Sequence, residues 1–499
     1  MPGMHPPHRT SWLPPIIGLM VMTAFTPCAA ILGTAAGAES ELPVPIDSRL
    51  ELFTDDLLVD RLSGCSLKLH EPHAANIVLR FDAPWEGAFS GYVTVLQDGS
   101  RYRCYYRGNP TAGQDGSDTE VTCYAESSDG VTFTKPSLGL FDVRGSRSNN
   151  VVLAGMAPYS HNFSPFLDTR PGVPGAERYK ALAGTSERGL RGFVSADGIR
   201  WSPIREKPLI TRGAFDSQNV AFWSDSEGCY VLYFRTWTGG DFHGFRTISR
   251  ATSTNFLDWS EPVAMSFGDT PAEHLYTSQT HPYFRAPHLY VATPMRFLPG
   301  RRVLTTEQAR TLGVDANYAS DTAEAVFMTT RGGSRYSRIF LEGFIRPGPD
   351  LGNWASRAGL TALGIVPTGP AEMSLYKQAH YAQPSGHLVR YTLRTDGFVS
   401  VNAPFRGGEF RTHPMTFSGR ELVLNFSTGA AGSLRAELQG QSDEPIPGFT
   451  LADSVEQIGD DLERVITWNG GREVGTLSGR PIRLRVVMKD ADLYSLRFR

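Results

Sequence analysis

The chain lacks an excess of charge of either sign: 48 Lys and Arg stand against 51 Asp and Glu, a formal net charge of −3. That removes the electrostatic basis for a nucleic-acid or anionic-membrane partner. Cysteine is scarce, five in 499 residues, and none has the C-x-x-C spacing of a zinc site, so no metal is implied. Beyond the N-terminus no apolar run is long enough to cross a bilayer. Helical periodicity is sparse and confined to short candidates such as 307–312 and 451–458. A G-x-S-x-G elbow, a phosphate loop, an H-E-x-x-H motif and a dinucleotide fingerprint are all missing, and no cofactor is implied.

Aromatic residues are plentiful at 11%, and there are 51 Gly. This mix suits short strands joined by tight turns, and it also suits stacking on sugar rings. The N-terminus reads as an export signal over residues 1–38. Arg9 precedes the apolar run Ile16-Ile17-Gly18-Leu19-Met20-Val21-Met22, and small residues lead to Ala36-Gly37-Ala38, an A-x-A cleavage pattern. The mature chain is expected to start at Glu39 and to be periplasmic or secreted, free of the membrane after cleavage. An uncleaved anchor is the alternative, against which Pro14 and Pro15 break a short apolar core. Cys104 and Cys123 fall on neighbouring predicted strands. An oxidising compartment would permit a bridge there, with buried free thiols as the alternative.

One motif recurs along the chain. Ser127-Ser128-Asp129-Gly130-Val131-Thr132-Phe133 is echoed by Ser195-Ala196-Asp197-Gly198-Ile199-Arg200-Trp201 and by Ser253-Thr254-Asn255-Phe256-Leu257-Asp258-Trp259. Looser copies are Thr330-Arg331-Gly332-Gly333-Ser334-Arg335-Tyr336 and Arg394-Thr395-Asp396-Gly397-Phe398-Val399-Ser400. Asp or Asn followed by Gly is hairpin chemistry, because these residues tolerate positive φ. A strand precedes each turn, and upstream of it lies a strand marked by Tyr102, Tyr179, Tyr230, Tyr290 or Tyr376. Four antiparallel strands per unit, repeated five times, is the sequence signature of propeller blades.

The expected architecture is therefore all-β: a five-bladed β-propeller over 82–406 followed by a C-terminal β-sandwich over 407–499. Residues 39–81 form an N-terminal segment, in which Arg49-Leu50-Glu51-Leu52-Phe53 is a candidate to complete the fifth blade and remove an exposed sheet edge.

A propeller gathers the N-terminal ends of its innermost strands around a central funnel, so carboxylates there are the first candidates for chemistry. Glu86, Asp168, Asp216, Glu273 and Glu372 offer one such carboxylate per blade, with Asp216 and Glu86 foremost because each stands beside polar or aromatic groups suited to a sugar. Glycosidic hydrolysis needs two carboxyl groups flanking the bond, one acting as acid and the other as base or nucleophile. Trp85, Tyr276 and Trp354 are candidates to stack on sugar, and Arg357 to orient a hydroxyl or a substrate carboxylate. Each has an ordinary structural alternative, a turn or cap for the acids and core packing for the aromatics.

Leu52-Phe53-Thr54-Asp55-Asp56, Pro84-Trp85-Glu86-Gly87, Arg178-Tyr179-Lys180-Ala181, Asp216-Ser217-Gln218-Asn219 and the stretch 490–498 carry a family likeness over nearly the whole mature chain. The chain resembles secreted bacterial proteins similar to the N-terminal domain of glycoside hydrolase family 32. The resemblance implies a five-bladed propeller, as in families 32 and 43, with three funnel carboxylates. By position Glu86, Asp168 and Asp216 would stand for them, with Glu and Asp exchanged at the first and third. The N-D-P-N-G, R-D-P and E-C motifs of invertase-like enzymes are missing. The function expected is hydrolysis of an extracellular oligo- or polysaccharide; the alternatives are a carbohydrate-binding propeller without turnover and a surface scaffold.

Overall fold

The computed structural model describes residues 42–111 and 116–499. The expected signal segment lies outside the described residues. No helix among those described is long and apolar enough to cross a membrane.

The chain is nearly all-β, and its repeat motif folds the same way three times. Ser127 Oγ accepts the amides of Asp129 and Gly130, while Asp129 Oδ1 accepts those of Val131 and Thr132 at 2.7 and 2.8 Å. Asp197 repeats this with Ile199 and Arg200, and Asn255 with Leu257 and Asp258. The acidic or amide side chain thus satisfies two turn amides that no strand reaches, which is why the motif ends a strand each time.

Each motif closes a sheet. Gly91–Asp98, Arg101–Gly108, Val121–Ser127 and Val151–Leu153 form the first, antiparallel and in chain order. Ser164–Leu167, Tyr179–Thr185, Gly189–Ser195 and Ser202–Pro203 form the second; Val220–Ser224, Cys229–Trp237, Arg246–Ser253 and Val263–Ala264 form the third. The fourth unit is split. Ala286–Ala292 and Met295–Leu298 belong to two separate three-stranded sheets, interrupted beside Pro294, which has no amide to donate. An insertion before Thr322–Ala325 carries the helix Thr306–Leu312, which Thr305 and Gln308 cap reciprocally. The helix expected at 451–458 does not form. Gln457 bridges Leu434, and Asp453 is tied to Thr450.

The fifth sheet runs Val366–Gly369, Glu372–Ala379, His387–Arg394 and then His73–Arg80. The edge strand of this sheet is His73–Arg80, paired with His387–Arg394, and 49–53 does not join it. Glu51–Leu52 instead pairs with Leu496 and Ser495. The recurrent tyrosines stitch neighbouring sheets together. Tyr102 donates to Pro367 O, Tyr179 to Asp98, Tyr230 to Asp168 at 2.7 Å, Tyr290 to Glu227 at 3.0 Å and Tyr376 to Gly130 O. Tyr283 of the fourth unit reaches Asp396 of the fifth. Each sheet therefore bonds to the next, and the fifth to the first.

The rest of the described chain builds an eight-stranded sheet and a two-stranded parallel one, Val44–Asp47 with Met415–Phe417. The spine of the larger sheet is the pair Leu422–Gln439 and Arg483–Phe498, joined by Val399–Ala403, Gly408–Thr412, Asp460–Ile466, Glu51–Leu52, Val59–Ser63 and Ser66–Leu69. It wraps a core containing Phe53, Phe410, Phe426, Trp468 and Phe498. Cys104 and Cys123 are free, buried thiols: Cys104 lies opposite Ala125 and Cys123 opposite Tyr106, a diagonal placement.

Candidate functional site

The register of the strands decides which side chains meet. Five residues after each recurrent tyrosine come Arg107, Gly184, Arg235, Met295 and Tyr381. Each of the first four meets the N-terminal approach to its unit's first strand. Arg107 is paired with Gly91, and Gly184 N–H donates to His161 O. Ala214 N–H donates to Arg235 O, and Tyr276 N–H to Met295 O. These positions share one end of the repeat units, and a polar cluster assembles there.

Tyr276 is its centre, 4% exposed. The guanidinium of Arg235 lies 4.6 Å from the Tyr276 ring centroid, that of Arg357 at 5.1 Å and that of Arg246 at 5.6 Å. Arg357 Nε donates to Tyr276 Oη at 3.1 Å, and Tyr92 Oη stands 3.4 Å from the same oxygen. Burial acts to raise the Tyr276 phenol, but the charges of Arg357 and then Arg235 overcome it and bring it down to about 8. Arg246 is pushed below the usual guanidinium range by burial and then by the like charge of Arg235.

Asp216 is bonded to Arg235 and to Ser186 Oγ, and its side chain is 28% exposed. The segment after it is fixed residue by residue. Ser217 Oγ donates to Tyr276 O at 2.8 Å, and Asn219 Nδ2 turns the chain by donating to Phe215 O and Ser217 O. Gln218 Nε2 donates to Thr94 Oγ1 at 2.8 Å, while Gln279 Nε2 donates to Gln218 Oε1 and Thr361 O. These amides form a floor under the cluster. At the other ends of the first strands lies a separate, largely apolar cavity of about 350 Å³, lined by residues of all five units, among them Val95, Phe166, Phe222, His281 and Ile365.

On the far side, Arg107 stacks 4.5 Å over Tyr92 and donates to Tyr381 Oη and Asn162 Oδ1. His161 Nδ1 is 2.9 Å from Glu120 Oε2, both fully buried. Although burial works against it, the His161 hydrogen bond and the Arg107 charge hold the Glu120 carboxyl below its usual range. Tyr92, Asn162, Gln279 and Arg357 all have positive φ, 50–61°. Such backbone costs of order 1–3 kcal/mol per residue and persists only where surrounding structure enforces it.

Of the residues predicted from sequence, the structure brings together Asp216, Tyr276 and Arg357. Glu86 stands apart: it is buried, accepts from Tyr106 Oη and the Ala83 amide, and is ion-paired with Lys135. Asp168 also stands apart. It follows its strand instead of preceding it, and Lys180 Nζ at 2.8 Å and Tyr230 Oη hold it. Glu273 is turned to Arg296 and Arg338, and Glu372 to Arg390 and Thr368. Trp85 donates to Asn150 Oδ1, and Trp354 donates to Gly348 O and packs beside Leu304 and Ala309. What sequence reading missed is three of the four arginines, Arg107, Arg235 and Arg246. Arg107 and Arg235 occupy equivalent places in Tyr-Tyr-Arg-Gly and Tyr-Phe-Arg-Thr, a signal legible once the repeats are aligned. Among the described residues no group of three His, Cys, Asp or Glu side chains is placed to hold a metal.

No family model matches the chain, and no curated protein matches it. Solved structures similar to it include a glycoside hydrolase (10% identity, TM-score 0.44, covering 65% of this chain and 92% of the other). Another is an N-acetylgalactosamine deacetylase from F. plautii in complex with blood group B trisaccharide (14%, 0.41, 68% and 97%). A third is the catalytic domain of the Coprinopsis cinerea GH62 alpha-L-arabinofuranosidase (10%, 0.39, 66% and 98%).

Proposed function

We propose that the five repeat units are the blades of a five-bladed propeller, that the eight-stranded sheet folds across its core as a β-sandwich, and that the chain is an exported glycoside hydrolase of an extracellular oligo- or polysaccharide. The observation that carries the functional reading is the convergence of every unit on one polar cluster, called the mouth below. Tyr92 and Arg107 come from the first, His161 and Asn162 from the second, and Asp216, Arg235 and Arg246 from the third. Tyr276 comes from the fourth, Arg357 and Tyr381 from the fifth. Exposed aromatics rim it: Phe242 and Phe245, 56% and 40% exposed, pack against Trp237 and His274. Flat apolar faces beside hydrogen-bonding groups suit a pyranose ring.

In this reading Asp216 is the proton-transfer group, and Tyr276 is the second ionisable group at the reacting centre. A tyrosine in place of one carboxylate is an established variant of glycosidase chemistry. A non-catalytic carbohydrate-binding propeller is the second reading, and one observation favours it: Glu86 and Asp168 are each neutralised by a lysine, leaving Asp216 at the mouth without them. Incubating the purified chain with a broad polysaccharide panel and measuring reducing ends separates the two. New ends that vanish in Asp216→Asn support the hydrolase. Saturable glycan binding without new ends supports the binding propeller, and neither cleavage nor binding overturns both.

A further inference from the structure

The mouth carries more cation than it balances. Asp216 offsets Arg235, and Glu120 lies 3.5 Å from Arg107. Arg246 and Arg357 have no carboxylate ion-paired to them among the described residues; their neighbours are the faces of Trp237, Tyr276, Phe297 and Tyr318.

A second observation is independent of charge counting. Arg235, 3% exposed, has Nε and Nη1 buried without a hydrogen-bond partner, and Arg246 Nε is in the same state. Buried N–H groups in folded proteins are ordinarily paired. The partly exposed guanidinium groups of Arg246 and Arg357 flank the same phenol as Arg235, and their charge is what an incoming acceptor would balance. A neutral sugar offers hydroxyls, which can accept but leave the charge uncompensated. A carboxylate supplies both acceptors and charge, and its planar pair of oxygens matches the guanidinium fork.

We infer that the cluster recognises an acidic sugar, a uronic-acid residue whose carboxylate is held by the partly exposed Arg246 and Arg357 beside Tyr276. This rests on the reading of the mouth as a carbohydrate site and narrows it to one substrate class. Asp216 does not oppose it, because Arg235 already neutralises that carboxylate. Burial first, and then the like charge of Arg235, depress the Arg246 guanidinium, and a bound anion beside it acts in the opposite direction.

The test is calorimetric titration of the purified chain with a galacturonate oligosaccharide, its carboxyl-reduced counterpart of the same linkage, and a sulfated galactose oligosaccharide. Charge-assisted hydrogen bonds of this kind give roughly ten- to a hundredfold in affinity. The uronate is expected to bind at least about tenfold tighter than the reduced form, and added salt should shrink that margin. Arg246→Gln, in a half-exposed position, should abolish the margin while leaving the melting temperature close to wild type. Arg357→Gln is the second variant, and the wild-type comparison stands without either. Equal binding of the reduced form overturns the inference, and tighter binding of the sulfated sugar overturns its assignment to a carboxylate. Cleavage of a neutral glycan with equal uronate and neutral affinity sinks only the acidic-sugar assignment; tight uronate binding with no glycan cleaved sinks only the hydrolase.

Discussion

Arg357 donates through Nε to Tyr276 Oη at 3.1 Å while its guanidinium carbon sits 5.1 Å above the centre of the same ring. One cation thus serves the phenol twice, through the oxygen and through the π face. Burial alone would keep Tyr276 protonated far above neutrality. With Arg357 and Arg235 beside it, charge wins over desolvation, and the group becomes ionisable within reach of neutral pH.

The first prediction follows from that reversal. Ultraviolet difference titration of the folded chain should show one phenol ionising near pH 8, below the ordinary 10. The step should be missing in Tyr276→Phe and move upward in Arg357→Gln. Because the folded pKa is lowered, the stabilisation it brings is complete above about pH 10 and is lost as pH falls towards 8. Wild type should therefore gain stability over Tyr276→Phe between those values. A parallel pair of stability curves there would show that Tyr276 does not titrate.

The second concerns Asp216. Asp216→Asn keeps shape and an acceptor oxygen but loses the charge and the transferable proton. If the mouth is hydrolytic, turnover on the best panel substrate falls by about 10²-fold or more. Arg235 loses its ion partner at the same time, so stability should drop, by about 1–2 kcal/mol given that Asp216 is partly exposed. Full turnover in this variant would remove Asp216 from the reaction.

Asp168 gives the contrast. Its carboxylate and the Lys180 ammonium are both buried, 0% and 3% exposed, at 2.8 Å. Breaking a buried pair costs about 3–5 kcal/mol when the other charge is stranded; Lys180 keeps Glu177 at 3.1 Å, which puts the cost towards or below the lower end of that range. Asp168→Asn should therefore unfold at markedly lower denaturant concentration, yet the folded fraction should retain its glycan affinity. Loss of affinity at unchanged stability would move Asp168 to the mouth.

Which parts were legible in the sequence follows from the physics of each signal. The Ser-x-Asp turns and the recurrent tyrosines are local and repeated, so the units could be read directly; Asp129 and Asp197 behave identically because each serves amides two and three residues ahead. The split fourth unit depends on Pro294, whose effect shows only where a long strand needs a donor. The site was harder. An acidic residue near a strand end can face the mouth, as Asp216 does, or a neighbouring sheet, as Asp168 does, depending on which end of the strand it occupies. Arg246 and Arg357 reach Tyr276 from two different units, a meeting that register and closure decide and that no local pattern announces.

Lys377 gives the last prediction. It is 1% exposed, in the strand Glu372–Ala379, and its ammonium has no hydrogen-bond or ion-pair partner among the described residues. Burial brings its pKa from 10.5 down to about 8, against the opposing charge of Asp350. At pH 7 the folded chain holds a charge that its surroundings disfavour, and a shift of that size corresponds to roughly 3 kcal/mol at 1.36 kcal/mol per unit. Lys377→Met replaces it with an apolar chain of similar length, so the variant should be more stable than wild type at pH 7, by about 1–3 kcal/mol. The sign of the pH dependence is fixed. Between about 8 and 10.5 the unfolded lysine binds a proton that the folded one has released, so wild type gains stability as pH rises through that window. The advantage of Lys377→Met should accordingly shrink towards pH 10. Chemical denaturation of both proteins at pH 7 and pH 10 measures it. A variant less stable at pH 7 would mean that the ammonium is satisfied in the fold and that its burial contributes to stability.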